Sequence, residues 1–363
     1  MSPDRSLQRS RYDLDRPALA ELLAGEPSYR VDQVWLGLYR QLAEPAELTT
    51  LPKALRERLV EELPTALEEA ARRTGDGGDT VKLLWSLRDG ATVETVLMHY
   101  EDRTTVCIST QAGCAMACSF CATGQAGFER HLTVGEIVEQ VVAASRIAAP
   151  RRVSNVVFMG MGEPLANYDA TIGAARRLNG DLGISARHLT VSTVGVLPGI
   201  RRLAAEPLPV NLAVSLHAAN DVLRDELVPL NRRAPLEDLA AACRDYLASH
   251  NRRLSLEWAM IDGVNDRDQD VDELAAFARP LRAHVNLIPL NPTPGYPVRG
   301  SSAGRVRSFR DALRRAGVNA TVRDNRGTDI DAACGQLRAE HEVAAVSIGA
   351  TRRRSGTASR LGR

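Results

Sequence analysis

The sequence predicts an α/β protein built on a parallel sheet with helical crossovers, and three observations carry that prediction. Short apolar runs rich in Val, Ile and Thr alternate with longer helical patterns about six times over the ~220 residues after position 104. At 363 residues, with 44% hydrophobic and 25% charged, the chain can bury a barrel-sized core. With only 27 Gly and 18 Pro it is neither collagen-like nor compositionally disordered. The alternation suits either a doubly wound sheet or a complete or partial (β/α) barrel, and in both the chemistry sits at the C-terminal ends of the strands.

In chain order, residues 1–78 read as a small N-terminal helical accessory domain, because LAELLAG, DQVWLGLYRQLAE and LPKALRERLVEEL place apolar residues three and four apart. The Gly/Asp-rich stretch RRTGDGGDT marks its boundary. Residues 79–103 read as a β-hairpin linker, with TVKLLWSL and ATVETVLM flanking a turn at Arg88-Asp89-Gly90. Residues 104–345 form the barrel core, whose strand candidates are TTVCIST, VSNVVFMG, HLTVSTVG, VNLAVSLH, LSLEWAMI and HVNLIPL, with NATVRD as a further one. Thr133 and Glu136 have capping-box spacing at the start of TVGEIVEQVVAASRI. Residues 346–363 are a basic tail, carrying Arg352, Arg353, Arg354, Arg360 and Arg363 without an acid, and read as disordered. No apolar stretch approaches the ~20 residues that span a bilayer, and MSPDRSLQRSRYDLDR has no apolar signal core, so a cytoplasmic chain without a membrane partner is expected.

The 46 basic and 45 acidic residues nearly cancel. A nucleic-acid partner would therefore have to be met by a local patch rather than by a basic whole. Only Lys53 and Lys82 are lysines, so the positive charge is almost entirely arginine, a bias that genome composition explains as well as phosphate binding does.

Four of the six cysteines lie between residues 107 and 121. In GCAMACSFCATG, Cys114, Cys118 and Cys121 form a C-x3-C-x2-C loop directly after a strand candidate. Structural zinc wants four protein ligands, and only His131, ten residues on, offers a weak fourth. A four-iron cluster accepts three thiolates and leaves one iron open to an exogenous ligand.

This loop, with Phe120 before its last cysteine, resembles the signature of the radical S-adenosylmethionine enzymes, which implies a partial (β/α)6 TIM-type barrel, a [4Fe-4S] cluster on Cys114, Cys118 and Cys121, and S-adenosylmethionine on the open iron. A narrower resemblance extends over residues 27 to 340 through YRVDQVWLGLY, VETVLM, CISTQAGCAMACSFCATGQAGF, FMGMGEPLANY, LTVSTVGVLPGI, VSLHAANDVLRDELVPLNR, IDGVND, LIPLNP and DIDAACGQL. These segments are similar to the RlmN-type family of dual-specificity RNA methyltransferases, which implies methylation of adenosine carbon 2 in 23S rRNA and tRNA.

By that resemblance, Cys334 receives a methyl group from one S-adenosylmethionine and a second molecule supplies the radical, two per turnover. The resulting methylene radical adds to the base and joins RNA to protein. Cys107 then attacks the Cys334 sulfur to free the product, and Glu94 takes the ring proton. Gly162, Glu163, Ser192, Ser215, Leu216, His217 and Asn291 match the cofactor positions. The family also implies a flavodoxin-like or ferredoxin-like reducing system, and we expect a monomer. Taken alone, Cys107 reads as a buried strand cysteine, Cys334 as a small core residue, Glu94 as part of a solvated hairpin face, and the strand-end residues as strand terminators. Cys243, at helical spacing in LEDLAAACRDYLASH, is an ordinary core cysteine. Two alternatives stand beside this reading: the related carbon-8 adenosine methyltransferases, and a non-catalytic RNA-binding protein that uses the three cysteines structurally.

Overall fold

The computed structural model describes residues 9–250, 252–290 and 298–323. Three helices come first, α1 (Arg16–Leu22), α2 (Tyr29–Tyr39) and α3 (Lys53–Glu62), followed by strands β1 (Leu67–Gly75), β2 (Thr80–Leu87), β3 (Thr92–His99) and β4 (Thr104–Cys107). The three-cysteine loop lies between β5 (Gln111–Gly113) and β6 (Phe128–His131) and contains the single turn α4 (Ala122–Gln125). Then come α5 (Val134–Ala148), β7 (Asn155–Phe158), α6 (Tyr168–Gly180), β8 (Leu189–Thr193), α7 (Leu197–Ala204) and β9 (Asn211–Ser215). The chain continues through α8 (Asp221–Leu227), α9 (Leu236–Ser249), β10 (Leu254–Met260), α10 (Asp268–Ala278), β11 (His284–Pro289), α11 (Ala303–Arg315) and β12 (Asn319–Val322).

Ten strands form one sheet in the order β1-β2-β3-β4-β7-β8-β9-β10-β11-β12. Pairing is antiparallel from β1 to β4 and parallel from β4 to β12. All seven strand candidates after residue 104 are therefore strands. Their spatial order equals their chain order, without the reversal a doubly wound sheet requires. Right-handed crossovers that all step the same way put every helix on one face, so the sheet curls with its helices outside into an open barrel. Among the described residues its two edges are β1 and β12.

The structure corrects the reading of residues 63–75 as helical. Leu63-Pro64 stops α3, since Pro64 cannot extend a helix, and Leu67–Gly75 is a strand paired with β2, bulged between Glu69 and Ala71. EEAARR has helix-favouring composition, but an edge strand can expose such residues, and pairing with the apolar TVKLLWSL overrides local preference. RRTGDGGDT is thus the end of β1 and a hairpin turn, and a boundary at residue 78 falls inside that turn. Residues 79–103 are two strands of the main sheet, continuous with the barrel through the β3–β4 register Val96↔Cys107.

The N-terminal helices share one apolar core with the barrel, running from Tyr12, Trp35 and Leu38 through Val106 and Phe158 to Phe309 and Leu313. Polar ties reinforce the contact: Trp35 Nε1 donates to Asp181 at 2.9 Å, Gly135 N to Asp13 at 2.7 Å, and Ala66 N to buried Glu139 at 2.8 Å. Burial holds the Glu139 carboxyl up at about 7, with Arg11 opposing. The capping box at Thr133 and Glu136 is present, and Cys243 is fully buried in the core. Among the described residues no helix is long and apolar enough to cross a membrane.

Candidate functional site

Strand alternation sorts the residues of β3 and β4 between two faces. Val93 and Leu97 join the helix-side core, while Val96, Met98 and Cys107 cluster on the lumen face with Val157 and Met159. Glu94 lies in register with this lumen set. It is 1% exposed and its carboxylate pairs with Lys82 Nζ at 3.2 Å, with Lys82 fully buried. The solvated-face reading of Glu94 is therefore wrong. A buried pair of this kind resists loss of either member, typically by ~3–5 kcal/mol. The signal that could have pointed to the pair was Lys82 itself, one of two lysines in an arginine-rich chain.

The cysteine loop is anchored at both ends. Gln111↔His131 and Ala112↔Arg130 pair across β5 and β6, and Cys114 N donates to Gly127 O at 2.7 Å. Gly113 is at φ +74, and a Cβ there would meet Gly127 O at 2.0 Å, so only glycine permits this closure. Cys121 N donates to Cys118 O and Ser119 N to Leu227 O, which fold the loop over the strand ends. Ala117, at φ +52, adopts the left-handed conformation that residues other than glycine seldom take.

Cys114, Cys118 and Cys121 face a cavity of about 200 Å³ whose opposite wall includes Gly162, Glu163, Ser192, Ser215 and His217. Eight of the residues singled out from sequence are thus brought together. Leu216 is not among the lining residues: its side chain is in the core, its N–H donates to Glu257 O and its carbonyl accepts from Arg224 Nε. Cys107 lies beside Met159, which itself lines the cavity. Cys334 and Asn291 lie outside the described residues.

The donor set suits a cluster. Among the described residues no three His, Cys, Asp or Glu side chains converge as a mononuclear ion requires; three cysteines that each bind a different iron of a cluster need not. Burial pushes the Cys114 thiol up to about 11 and raises Cys118 as well, so iron, which replaces the proton, is what would hold them as thiolates.

Glu163 suits a cationic ligand. It is 2% exposed and forms no ion pair among the described residues, and burial holds its carboxyl up at about 7 although Val194 N, Leu165 N and Thr193 donate to it. A ligand ammonium would supply the missing charge. Gly162, at φ +102, makes its close approach to Gln111, where a Cβ would stand 2.6 Å from Gln111 Cβ. The Gln111 side chain in turn accepts from Glu163 N at 2.7 Å. Glycine here packs the strand end that carries Glu163.

His217, at φ +60, accepts from Ala259 N at Nδ1 and meets the Phe120 ring edge-on at 4.5 Å. Burial first, then Arg224, lowers its pKa to about 3, so it is neutral with its proton on Nε2. Ser192 Oγ donates to Phe158 O at 2.7 Å. Fully buried Arg224 is the residue sequence reasoning missed. Its guanidinium donates to Val194 O, Leu216 O and Asn231, fastening the ends of β8 and β9 that present Ser192, Ser215 and His217.

The comparisons with known proteins agree with this arrangement. The model of the radical SAM superfamily matches residues 108–278. A relative from Parafrankia sp. (strain EAN1pec), named probable dual-specificity RNA methyltransferase RlmN, is 52% identical over 361 residues, covering 94% of this chain and 93% of its own. A relative of the same name from Chloroflexus aurantiacus is 50% identical over 354 residues, covering 93% and 94%. The crystal structure of a radical SAM methyltransferase from Sphaerobacter thermophilus superposes with a TM-score of 0.87 at 52% identity, covering 90% of this chain and 98% of that one. Superfamily membership implies a [4Fe-4S] cluster and S-adenosylmethionine as cofactors. With half its residues shared over nearly its whole length, the chain belongs to the RlmN family of radical SAM RNA methyltransferases.

Proposed function

We propose that this protein methylates carbon 2 of an adenosine in 23S rRNA and in tRNA, in the cytoplasm, by way of a methylated cysteine. The observation that carries the reading is the near-complete match to relatives named RlmN, whose name is that of a dual-specificity RNA methyltransferase. The lumen geometry supports it, because Cys107 and the buried Glu94–Lys82 pair share the barrel face that leads to the three-cysteine cavity.

Carbon 2 of adenine lies between two ring nitrogens and has no lone pair for attack on an electrophilic methyl group. Bound on Cys114, Cys118, Cys121 and the Glu163 wall, the cofactors supply a methyl donor and a carbon radical, one S-adenosylmethionine for each. Cys334 carries the one-carbon unit as a thioether, loses one hydrogen atom from it to the carbon radical that the cofactors would supply, and bonds through that carbon to the ring, which joins RNA to protein; the electron left unpaired by the addition would return to the cluster. Glu94 accepts the ring proton; Lys82 holds its carboxylate in the lumen face. Cys107 attacks the Cys334 sulfur, forming a disulfide and releasing the carbon, which takes up a proton. A flavodoxin-like or ferredoxin-like reducing system supplies electrons one at a time, both for the cleavage of S-adenosylmethionine and for the return of the disulfide to thiols. Gly162, Ser192, Ser215, His217 and Asn291 position the cofactor, and Leu216 acts through its main chain, which ties the segment between Ser215 and His217 to β10 and Arg224.

Digestion of treated RNA to nucleosides, followed by chromatography with mass detection, tests the position. We expect 2-methyladenosine; 8-methyladenosine would move the chain to the carbon-8 activity, and no methylated adenosine would remove the function.

A further inference from the structure

The barrel has a second opening. At the N-terminal ends of the parallel strands the lumen widens into a cavity of about 590 Å³, a volume typical of sites for small organic ligands. In a filled (β/α) barrel the inward positions carry branched apolar side chains. Here Thr105, Asn155, Thr190, Asn211 and Ser255 line the space, and these short polar residues leave it open.

Its charge is one-sided. Arg103 stands directly before β4, Arg187 just before β8, and Arg252 and Arg253 directly before β10, so the turns entering three strands each bring arginine to this rim; Arg323, past the C-terminal end of β12, lies deeper and lines the three-cysteine cavity as well. Against the four rim guanidiniums the described lining residues hold one carboxylate, Glu257, an excess of +3 there in a chain whose net charge is +1. Glu257 is itself engaged by Ser255 Oγ at 2.7 Å and Asn286 Nδ2 at 2.8 Å. Arg103 pairs with exposed Asp102 and stacks on Tyr100. Among the described residues no ion pair engages Arg187, Arg252, Arg253 or Arg323. The uncompensated field reaches the cavity wall: His284 is held below its ordinary range, first by burial and next by Arg253.

We propose that this N-terminal mouth is a phosphoryl-anion site, which seats phosphates of the RNA substrate on the barrel face opposite the cysteine loop. Planar guanidiniums bind phosphate oxygens bidentately, and a cluster of them gives a nearly neutral protein the local attraction that RNA binding requires. This role is independent of which adenine carbon is methylated.

The test uses the full-length, anaerobically reconstituted protein and an R252A/R253A double variant. Binding of a labelled substrate RNA is titrated across a potassium chloride series, and binding of ADP is measured separately by equilibrium dialysis. Iron content and S-adenosylmethionine binding equal to those of the parent show that the barrel is intact, and an R252K/R253K variant restores charge. For RNA phosphates, the slope of log affinity against log salt falls by roughly 1.4 to 1.8 in the alanine variant, about 0.7 to 0.9 for each of the two lost contacts, and returns with lysine. An unchanged slope together with ADP binding that the alanine variant loses also upholds the site, with a free nucleotide as its source. An unchanged slope with no ADP binding by the parent, or with equal ADP binding by both proteins, overturns it.

Discussion

A Cys118→Ala protein is expected to fold normally, to take up little iron on anaerobic reconstitution, and to show neither the visible absorbance of a thiolate-bound cluster nor reductive cleavage of S-adenosylmethionine. Folding should survive because the loop is held from its ends, by the β5–β6 pairing and the Cys114–Gly127 hydrogen bond. Cys118 contributes one small buried side chain to a minor apolar cluster with Ala218, Leu227, Val228 and Ile261, where loss of a methyl-sized group costs on the order of 1 kcal/mol. Its loss leaves two thiolates where three are needed, and among the described residues no group of three His, Cys, Asp or Glu side chains is gathered to hold iron in their place. Circular dichroism with iron and sulfide analysis checks both halves of the expectation. A four-iron cluster of normal spectrum in this variant would detach the loop from its assigned role.

The second large effect concerns Cys107. A Cys107→Ala protein should bind its cluster and S-adenosylmethionine like the parent yet stall with RNA covalently attached through Cys334, giving at most one turnover per molecule. Cys107 lies on the lumen face among Val96, Met98, Val157 and Met159, away from the cavity-lining cysteines, so its removal leaves the metal loop untouched. A denaturing gel after incubation with labelled RNA shows the adduct as a protein-sized band that nuclease reduces. Free methylated RNA at normal turnover would return Cys107 to the role of a packed strand cysteine.

The parallel strands were legible because each is a short, largely apolar run set between longer helical patterns, as in VSNVVFMG and HLTVSTVG, with burial alternating along β7 and β8. The choice between a wound sheet and a barrel was not, since strand order is a property of pairing that linear sequence does not record. β1 was misread because EEAARR has the composition of a solvated helix and becomes a strand only through its partner. β5 and β6, at three and four residues, are too short for any periodicity. In the site, the cysteine spacing and the strand-end residues were visible because they are local. Lys82 and Arg224 were not, because their partners come through cross-strand register and side-chain reach. The arginines of the N-terminal rim likewise looked like scattered surface charge until the strands after them aligned.

The measurement that bears most directly on the proposed route uses S-adenosylmethionine carrying a trideuterated methyl group, with the methylated adenosine analysed for isotope content. A one-carbon unit held on Cys334 must lose one hydrogen to become a carbon radical, so the product methyl should carry two deuteriums and one hydrogen taken up later. A product that retains all three deuteriums would mean direct displacement onto the base and would contradict the cysteine-borne route.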